Sequence, residues 1–401
     1  MKLKIGVIFG GATVEHEISI ISANQVINVL DEERYEVFPI YISKEKDFYY
    51  AKQYFDISTF KDLENAQKIG QNIVFKKIKN NVEMHTMENK LFGSKISAID
   101  IFFIVMHGTN GEDGTVQGML ETLDASYTFC DTKGAAVGQD KVFMKSILQA
   151  NGVNVVKFDW FYSCDYYNDE TAIIKRIEAE LHYPIIVKPA NLGSSVGISI
   201  ARDRDSLKES ITEALRYENK IVVEKVIDNL IEVNCAVLGD YTSQKTSAIE
   251  QVFQSQDFLS YEDKYTSGAG KSKTDVQASG MAATKRLIPA PLSREVEAKV
   301  LELAVKGFKV LNLSGDTRID FLIDKNTNEV YLNEVNTIPG SLAYYLWTEV
   351  DVPFEKLCDE LIKLAIKRKR ETKQLITTFE TNVLEKYGEQ EGKGTKNKVS
   401  R

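Results

Sequence analysis

The residues best suited to chemistry lie in one stretch, Arg318-Ile-Asp-Phe-Leu-Ile-Asp-Lys-Asn-Thr-Asn-Glu-Val-Tyr-Leu-Asn-Glu-Val-Asn-Thr-Ile-Pro-Gly340. Two apolar-rich runs flank the turn formers Asp324 to Asn328, which predicts a β-hairpin with a loop of about four or five residues. Side chains two apart share a strand face, so Arg318 lies beside Asp320 and Glu334 beside Asn336. If the register pairs Asp320 with Glu334, both acids and the amide oxygen of Asn336 converge on an all-oxygen site. Hard cations such as Mg²⁺ take that ligand set, with waters and substrate phosphates completing the shell. A lone Asp/Glu pair is more often a solvated acidic hairpin. The Arg, which suits a metal-borne phosphate, and the Pro-Gly turn after the second strand favour the metal.

Other candidates lie on loops. Lys188 ends the short strand Tyr183 to Pro189 and precedes Ala190-Asn-Leu-Gly-Ser-Ser-Val-Gly197, whose backbone N–H groups could cradle phosphate oxygens. His107-Gly-Thr-Asn-Gly-Glu-Asp-Gly114 follows the buried-strand run Ile99 to Met106, and its glycines allow close approach to a ligand. Glu15 and His16 stand at the start of a helix, where a carboxylate also gains from the helix dipole. Gly268-Ala-Gly-Lys-Ser272 resembles the end of a Walker A loop, but Tyr265 occupies the place of its first glycine and no apolar strand leads in.

These groups need elements to hold them. Lys4 to Phe9 reads as a buried strand, Gly10-Gly11 as a turn, and Ile20, Ala23, Ile27 and Leu30 as one face of a helix, a strand-turn-helix unit of an open α/β sheet. Its spacing is not GxGxxG, which argues against a dinucleotide-binding dehydrogenase. A second strand covers Tyr35 to Ile42. Residues 43–95 are polar and weakly patterned, and are expected to form small elements and surface loops. Helices are expected over Thr115 to Leu123, Lys141 to Gln149, Ser293 to Leu311 and Pro353 to Ile366, and strands over Ile221 to Lys225, Glu232 to Gly239 and Ser247 to Phe253. Residues 257–282, rich in Gly, Ser, Thr and Lys, read as a mobile lid, and residues 367–401 as a charged, disordered tail.

A chain of 401 residues allows two or three domains. Its net charge of -8 argues against general nucleic-acid binding. Cys130, Cys164, Cys235 and Cys358 show no metal spacing and read as reduced thiols of a cytosolic protein. No run is long enough for a membrane span, and no signal peptide is apparent.

Taken together, the chain resembles the D-alanine:D-alanine ligases of the ATP-grasp superfamily over about residues 3–366. The resemblance rests on Gly10-Gly-Ala-Thr-Val-Glu-His-Glu-Ile-Ser19, His107 to Gly118, Lys188 to Gly197, Glu224-Lys225, Lys264-Tyr265, Arg318-Ile-Asp320 and Asn333-Glu-Val-Asn-Thr-Ile-Pro-Gly340, in that order. It implies an α/β ATP-grasp fold: an N-terminal open parallel α/β sheet domain (1–129), then two ATP-grasp subdomains (130–223 and 224–366) that sandwich the nucleotide. The activity implied is ATP-dependent ligation of two D-alanines through D-alanyl phosphate, for peptidoglycan precursors. By the same resemblance Glu15 holds the first substrate's ammonium with Ser194 and Tyr265, and His107 lies nearby. Lys141, Lys188, Ser194, Ser195, Lys225 and Lys264 contact the nucleotide, Glu224 reads the adenine amino group, and Glu232 holds the ribose, at a spacing one residue longer than expected. Asp320, Glu334 and Asn336 carry two Mg²⁺ ions, which Mn²⁺ can replace, and Arg318 with the N–H of Gly340 faces the oxyanion. The partners implied are small molecules and a second copy in a homodimer, in the cytoplasm.

The chain departs from the family after Gly340, where Ser341-Leu342 follows directly instead of several residues later. Ser341 and Leu342 can stand in for the pair that holds the second substrate, with Tyr345 the other candidate for its carboxylate. That substrate is therefore open between D-alanine, D-serine, D-lactate and another amino acid. A catalytically silent nucleotide-binding protein is the alternative from another class.

Overall fold

The glycine turn at Gly10-Gly11 fixes the first functional edge. Both residues have positive φ (+91° and +96°), and a Cβ on Gly10 would come within 2.3 Å of the Ile42 carbonyl oxygen, so only glycine lets the chain leave its strand here. In this computed structural model, which describes residues 2–87, 94–193, 196–253, 286–379, 381 and 384, three sheets stack the functional loops. The first has seven strands, β1 (Leu3–Gly10), β2 (Tyr35–Ile42), β3 (Phe48–Tyr50), β4 (Gln71–Ile78), β5 (Asn81–Thr86), β6 (Lys95–Ile99) and β7 (Ile101–Val105), in the order β6-β5-β4-β3-β2-β1-β7.

The expected parallel sheet covers only part of this. β1 runs parallel to β2 and β7, whereas β3 to β6 extend the β2 edge antiparallel. Residues 43–95, expected as small elements and loops, thus supply three strands, and β6 starts at their end, at Lys95. Tyr54 and Ala66 anchor that extension, with the Tyr54 hydroxyl donating to the Ala66 carbonyl at 2.7 Å.

The second sheet holds β8 (Phe158–Tyr162), β9 (Ile185–Pro189), β10 (Ser199–Ala201) and β11 (Lys220–Lys225), in the order β10-β9-β11-β8. The third is antiparallel, β14-β13-β12-β15-β16, with β12 at Leu230–Gly239, β13 at Gln244–Val252, β14 at Arg286–Leu287, β15 at Gly315–Asp324 and β16 at Val330–Asn336. The helices expected from periodicity form at His16–Val29, Thr115–Thr122, Lys141–Ala150 and Arg294–Val310, the last capped by Ser293.

The final expected helix does not stop at Ile366. It spans Phe354–Thr372, so residues 367–372 belong to the fold and not to the tail. Ion pairs and carbonyl contacts hold them: Lys367 with Asp240 at 2.5 Å, Arg368 with the carbonyls of Phe129 and Tyr127, and Lys369 with Asp124. This helix buries Leu357, Cys358, Leu361, Ile362 and Ala365 in the same core as Ile5, Phe102 and Ile104 of the first sheet. The lid expected over residues 257–282 lies outside the described residues. Among those described, no helix is long and apolar enough to cross a membrane.

Candidate active site

The hairpin has the register that its alternation demands. Asp320 pairs with Glu334 and Arg318 with Asn336. A bulge follows, because Phe321 pairs with Leu332 and Asn333 is the extra residue. That one-residue insertion resets the alternation of β16, so Leu332 faces the core while Glu334 and Asn336 stay on the side of Asp320. Arg318 grips Asp320 with two hydrogen bonds along the strand, from Nε to Oδ1 at 2.7 Å and from Nη2 to Oδ2 at 2.9 Å. Burial works against the Arg318 charge, but Asp320 outweighs it and holds the guanidinium protonated. Asn336 donates to Asp320 Oδ2 at 3.1 Å. Two carboxylates and an amide on neighbouring strands, their charge now met by Arg318 and by Lys141, form an oxygen-rich set that fits a hard divalent cation.

Across from the hairpin stand lysines from the second sheet and its leading helix. Asp140 caps the helix Lys141–Ala150 and also pairs with Lys220 at 2.7 Å. The Lys141 backbone N–H donates to the Ala190 carbonyl at 3.0 Å, which ties the helix start to the chain just after β9. Its Nζ donates to the Leu192 carbonyl at 2.6 Å and lies 3.4 Å from Glu334 Oε1. Lys188 and Glu224 are diagonal neighbours on β9 and β11, and Lys188 donates to Glu224 Oε2 at 2.9 Å. Lys145, one turn beyond Lys141, approaches Glu224 Oε1 at 3.2 Å. Burial alone would raise the Glu224 pKa, but Lys145 and Lys188 overcome it and push it down to about 2.

The first sheet supplies the third wall. Glu15 is buried at the N-cap of the helix His16–Val29. A Cβ on Gly108 would lie 2.7 Å from its Oε2 and one on Gly193 3.5 Å away, so both glycine loops close on this carboxylate. His107 spans the joint to the hairpin. Its Nδ1 lies 2.8 Å from the Ile338 carbonyl, which can only accept, so Nδ1 carries the proton. Nε2 then accepts from Ser22 Oγ at 2.8 Å, and Ser22 Oγ accepts from the Ser341 backbone N–H at 2.9 Å. Burial lowers the His107 pKa against the pull of Glu15, in keeping with a neutral ring. Glu112 makes a second bridge, accepting from Gly108 N at 2.9 Å and Ile338 N at 2.8 Å.

Residues 4–130 match the family model described as D-ala D-ala ligase N-terminus, and residues 147–363 match D-ala D-ala ligase C-terminus. The chain belongs to the D-ala D-ala ligase family. A D-alanine--D-alanine ligase of Thermosipho melanesiensis is 39% identical over 95% of this chain and 98% of its own length, and one of Caldicellulosiruptor bescii is 37% identical over 93% and 98%. Among solved structures, the D-alanine-D-alanine ligase from Coxiella burnetii aligns with TM-score 0.77 at 27% identity, covering 98% of this chain and 99% of that one. VanG D-Ala:D-Ser ligase from Enterococcus faecalis aligns with TM-score 0.74 at 29% identity, covering 91% and 100%. The ATP-grasp fold is thus that of the family.

Within this ligase fold, contacts chain Glu224 to Lys188, Lys141 to Glu334, and Arg318 and Asn336 to Asp320, with Glu15 and His107 on the adjoining edge of the first sheet. Lys225 ends β11 exposed and joins none of these contacts. Glu232 is half-buried on β12, opposite Val252 and Leu322 and two residues from Asn234. Ser194, Ser195, Lys264 and Tyr265 lie outside the described residues. Gly340 opens a tight turn in which Ser341, Leu342 and Ala343 are all buried with φ of +51°, +50° and +44°, a run of left-handed non-glycine residues that costs strain. Tyr345 donates to Glu250 Oε1 at 3.0 Å beneath Arg286.

Sequence reasoning missed three members. Ser22 and Glu112 act through contacts spanning 85 to 319 residues. Lys145 did leave a signal, since Lys141 and Lys145 share one helix face.

Proposed function

We propose that this protein joins two D-alanines at the cost of ATP, through a D-alanyl phosphate, releasing D-alanyl-D-alanine, ADP and phosphate for peptidoglycan precursor synthesis. The observation that carries this reading is the facing pair of walls: Arg318, Asp320, Glu334 and Asn336 on the hairpin, and Lys141 and Lys188 beside the Ala190 to Gly197 loop. Such a cleft suits a polyphosphate and an acid that must be activated, because phosphoryl transfer is catalysed by positioning and charge neutralisation.

In this reading Lys141 and Lys188 hold the nucleotide phosphates, joined by Lys264, with Ser194 and Ser195 in the loop. The buried acceptor Glu224 Oε1, ion-paired with Lys145, receives the adenine amino group, while Lys225 and Glu232 contact the rest of the nucleoside. Glu15, with Ser194 and Tyr265, holds the first ammonium. Asp320, Glu334 and Asn336 would hold two Mg²⁺ ions, or Mn²⁺ in their place, which when bound neutralise charge on the phosphates. Arg318 spends Nε and Nη2 on Asp320, leaving its Nη1 edge, with the Gly340 N–H, for the oxyanion formed when the second amine attacks. Domain units at 1–129, 130–223 and 224–366, a lid at 257–282 that excludes water, and a homodimer complete the reading.

The acceptor is the least constrained part. The left-handed turn at Ser341 to Ala343 shapes its pocket differently from the longer family segment, and a D-Ala:D-Ser ligase is among the structural neighbours. D-serine, D-lactate or another amino acid is therefore the second reading. ATP-dependent phosphate release over a panel of D- and L-amino acids and hydroxy acids separates them. D-Alanine alone should support turnover; release only with a mixture of D-alanine and a second compound would identify another acceptor.

A further inference from the structure

Glu224 is 1% exposed and has two lysine partners where one would neutralise it. Lys188 donates to its Oε2, and Lys145 lies 3.2 Å from its Oε1. The two lysines differ in reach. Lys188 ends β9 immediately before the phosphate-cradle loop, whereas Lys145 is 0% exposed and enclosed on the inner face of its helix. Lys145 Nζ faces Glu224 Oε1 at 3.2 Å as an ion pair outside ideal hydrogen-bond geometry, and the carboxylate oxygen has a second lone pair to offer a ligand.

We propose that Lys145 is a specificity-determining residue for the nucleotide base: it keeps Glu224 ionised, and so a hydrogen-bond acceptor, when Lys188 turns from Glu224 to the phosphates. The inference rests on Glu224 as the group that reads adenine. A buried carboxylate stripped of its cation takes up a proton, and among the described residues no other cation replaces Lys145, because Lys141 is engaged with Glu334 and Leu192. A protonated Glu224 keeps only a weaker, uncharged acceptor for the adenine amino group and gains an O–H that can donate to the carbonyl oxygen of hypoxanthine. Lys145 never touches the base; it acts through Glu224.

The test is the ratio of kcat/KM for ATP to that for ITP, measured by phosphate release with saturating D-alanine in the full-length protein. Lys145→Met should lower this ratio by about tenfold or more, while Lys145→Arg keeps it near wild type. Lys188→Met should weaken both nucleotides through the lost phosphate contact yet leave the ratio within about threefold, since Lys145 still compensates Glu224. Equal losses for ATP and ITP in Lys145→Met, or a collapsed ratio in Lys188→Met, would overturn the proposal. If Lys145→Met does not fold, Lys188→Met decides alone. Glu224→Gln separates the two readings. A collapsed ratio there with an unchanged one in Lys145→Met removes only the role of Lys145; an unchanged ratio in Glu224→Gln removes adenine reading by Glu224 and the proposal with it.

Discussion

Two glutamates, each enclosed by the protein, are treated in opposite ways. Glu224, on the lysine side, sits between Lys145 and Lys188, which overcome its burial and push its pKa down to about 2. Glu112, at the joint between the first sheet and the hairpin, has no cation in contact among the described residues. Burial, with Glu15 adding to it, raises its pKa to about 8, and the N–H groups of Gly108 and Ile338 only partly resist. The lysine side is a lattice of paired charges, whereas the joint is built from near-neutral hydrogen bonds that fix Gly108, Ile338 and Ser341 in place. Burial alone does not decide ionisation; the partner does.

The largest effect should come from breaking the charged side. Glu224→Ala leaves Lys145 and Lys188 as like charges without their counterion and should cost about 3–5 kcal/mol of stability, read by urea unfolding. A loss under 1 kcal/mol would mean that water already screens the pair. Next, Glu334→Gln removes a charge with almost no change of volume, and should lower kcat by roughly 10²–10³-fold with an unchanged unfolding midpoint. Full turnover at saturating Mg²⁺ would remove Glu334 from the metal set.

At the joint the expected effects are smaller. Glu112→Gln turns an amide toward one of two N–H donors and should cost about 1–3 kcal/mol. The pH dependence sharpens the contrast. A pKa raised in the folded state, from 4.5 to about 8, means that stability from Glu112 falls as pH rises through that interval. A pKa depressed to about 2 means that Glu224 stabilises above 4.5 and loses its contribution as pH drops toward 2. Unfolding free energies of the wild type and Glu112→Gln should therefore converge as pH rises toward 8; parallel curves would show Glu112 ionised throughout. Smallest of all, Ser22→Ala interrupts the relay from Ser341 to His107 and should cost about 1 kcal/mol, with a larger rise in KM for the second D-alanine than for ATP.

The two sides also differed in how readily the sequence disclosed them. The hairpin was legible because side-chain alternation and a cluster of turn formers fix its register within 23 consecutive residues, and the shared face of Arg318 and Asp320, and of Glu334 and Asn336, follows from period two. The joint was not, because Ser22, His107, Glu112 and Ser341 meet only after the sheet and hairpin have docked. β3 to β6 escaped notice for another reason. They extend an edge: β3, β4 and β6 are partly exposed, which dilutes their alternation, and β5 is buried from Val82 to Thr86 and shows none. The helix beyond Ile366 looked like tail because Lys367, Arg368 and Lys369 read as solvated charge, yet each has a partner distant in sequence.

That helix has a consequence for how the molecule is made. The first sheet is nearly complete once residue 105 has left the ribosome, but Leu357, Cys358, Leu361 and Ile362, which cover part of its apolar surface, come far later. At about 5–20 residues per second the nascent chain holds that surface open for on the order of tens of seconds. During this interval it is a natural client for chaperones, and a ribosome stalled within the third sheet would release a sticky fragment, not a folded domain.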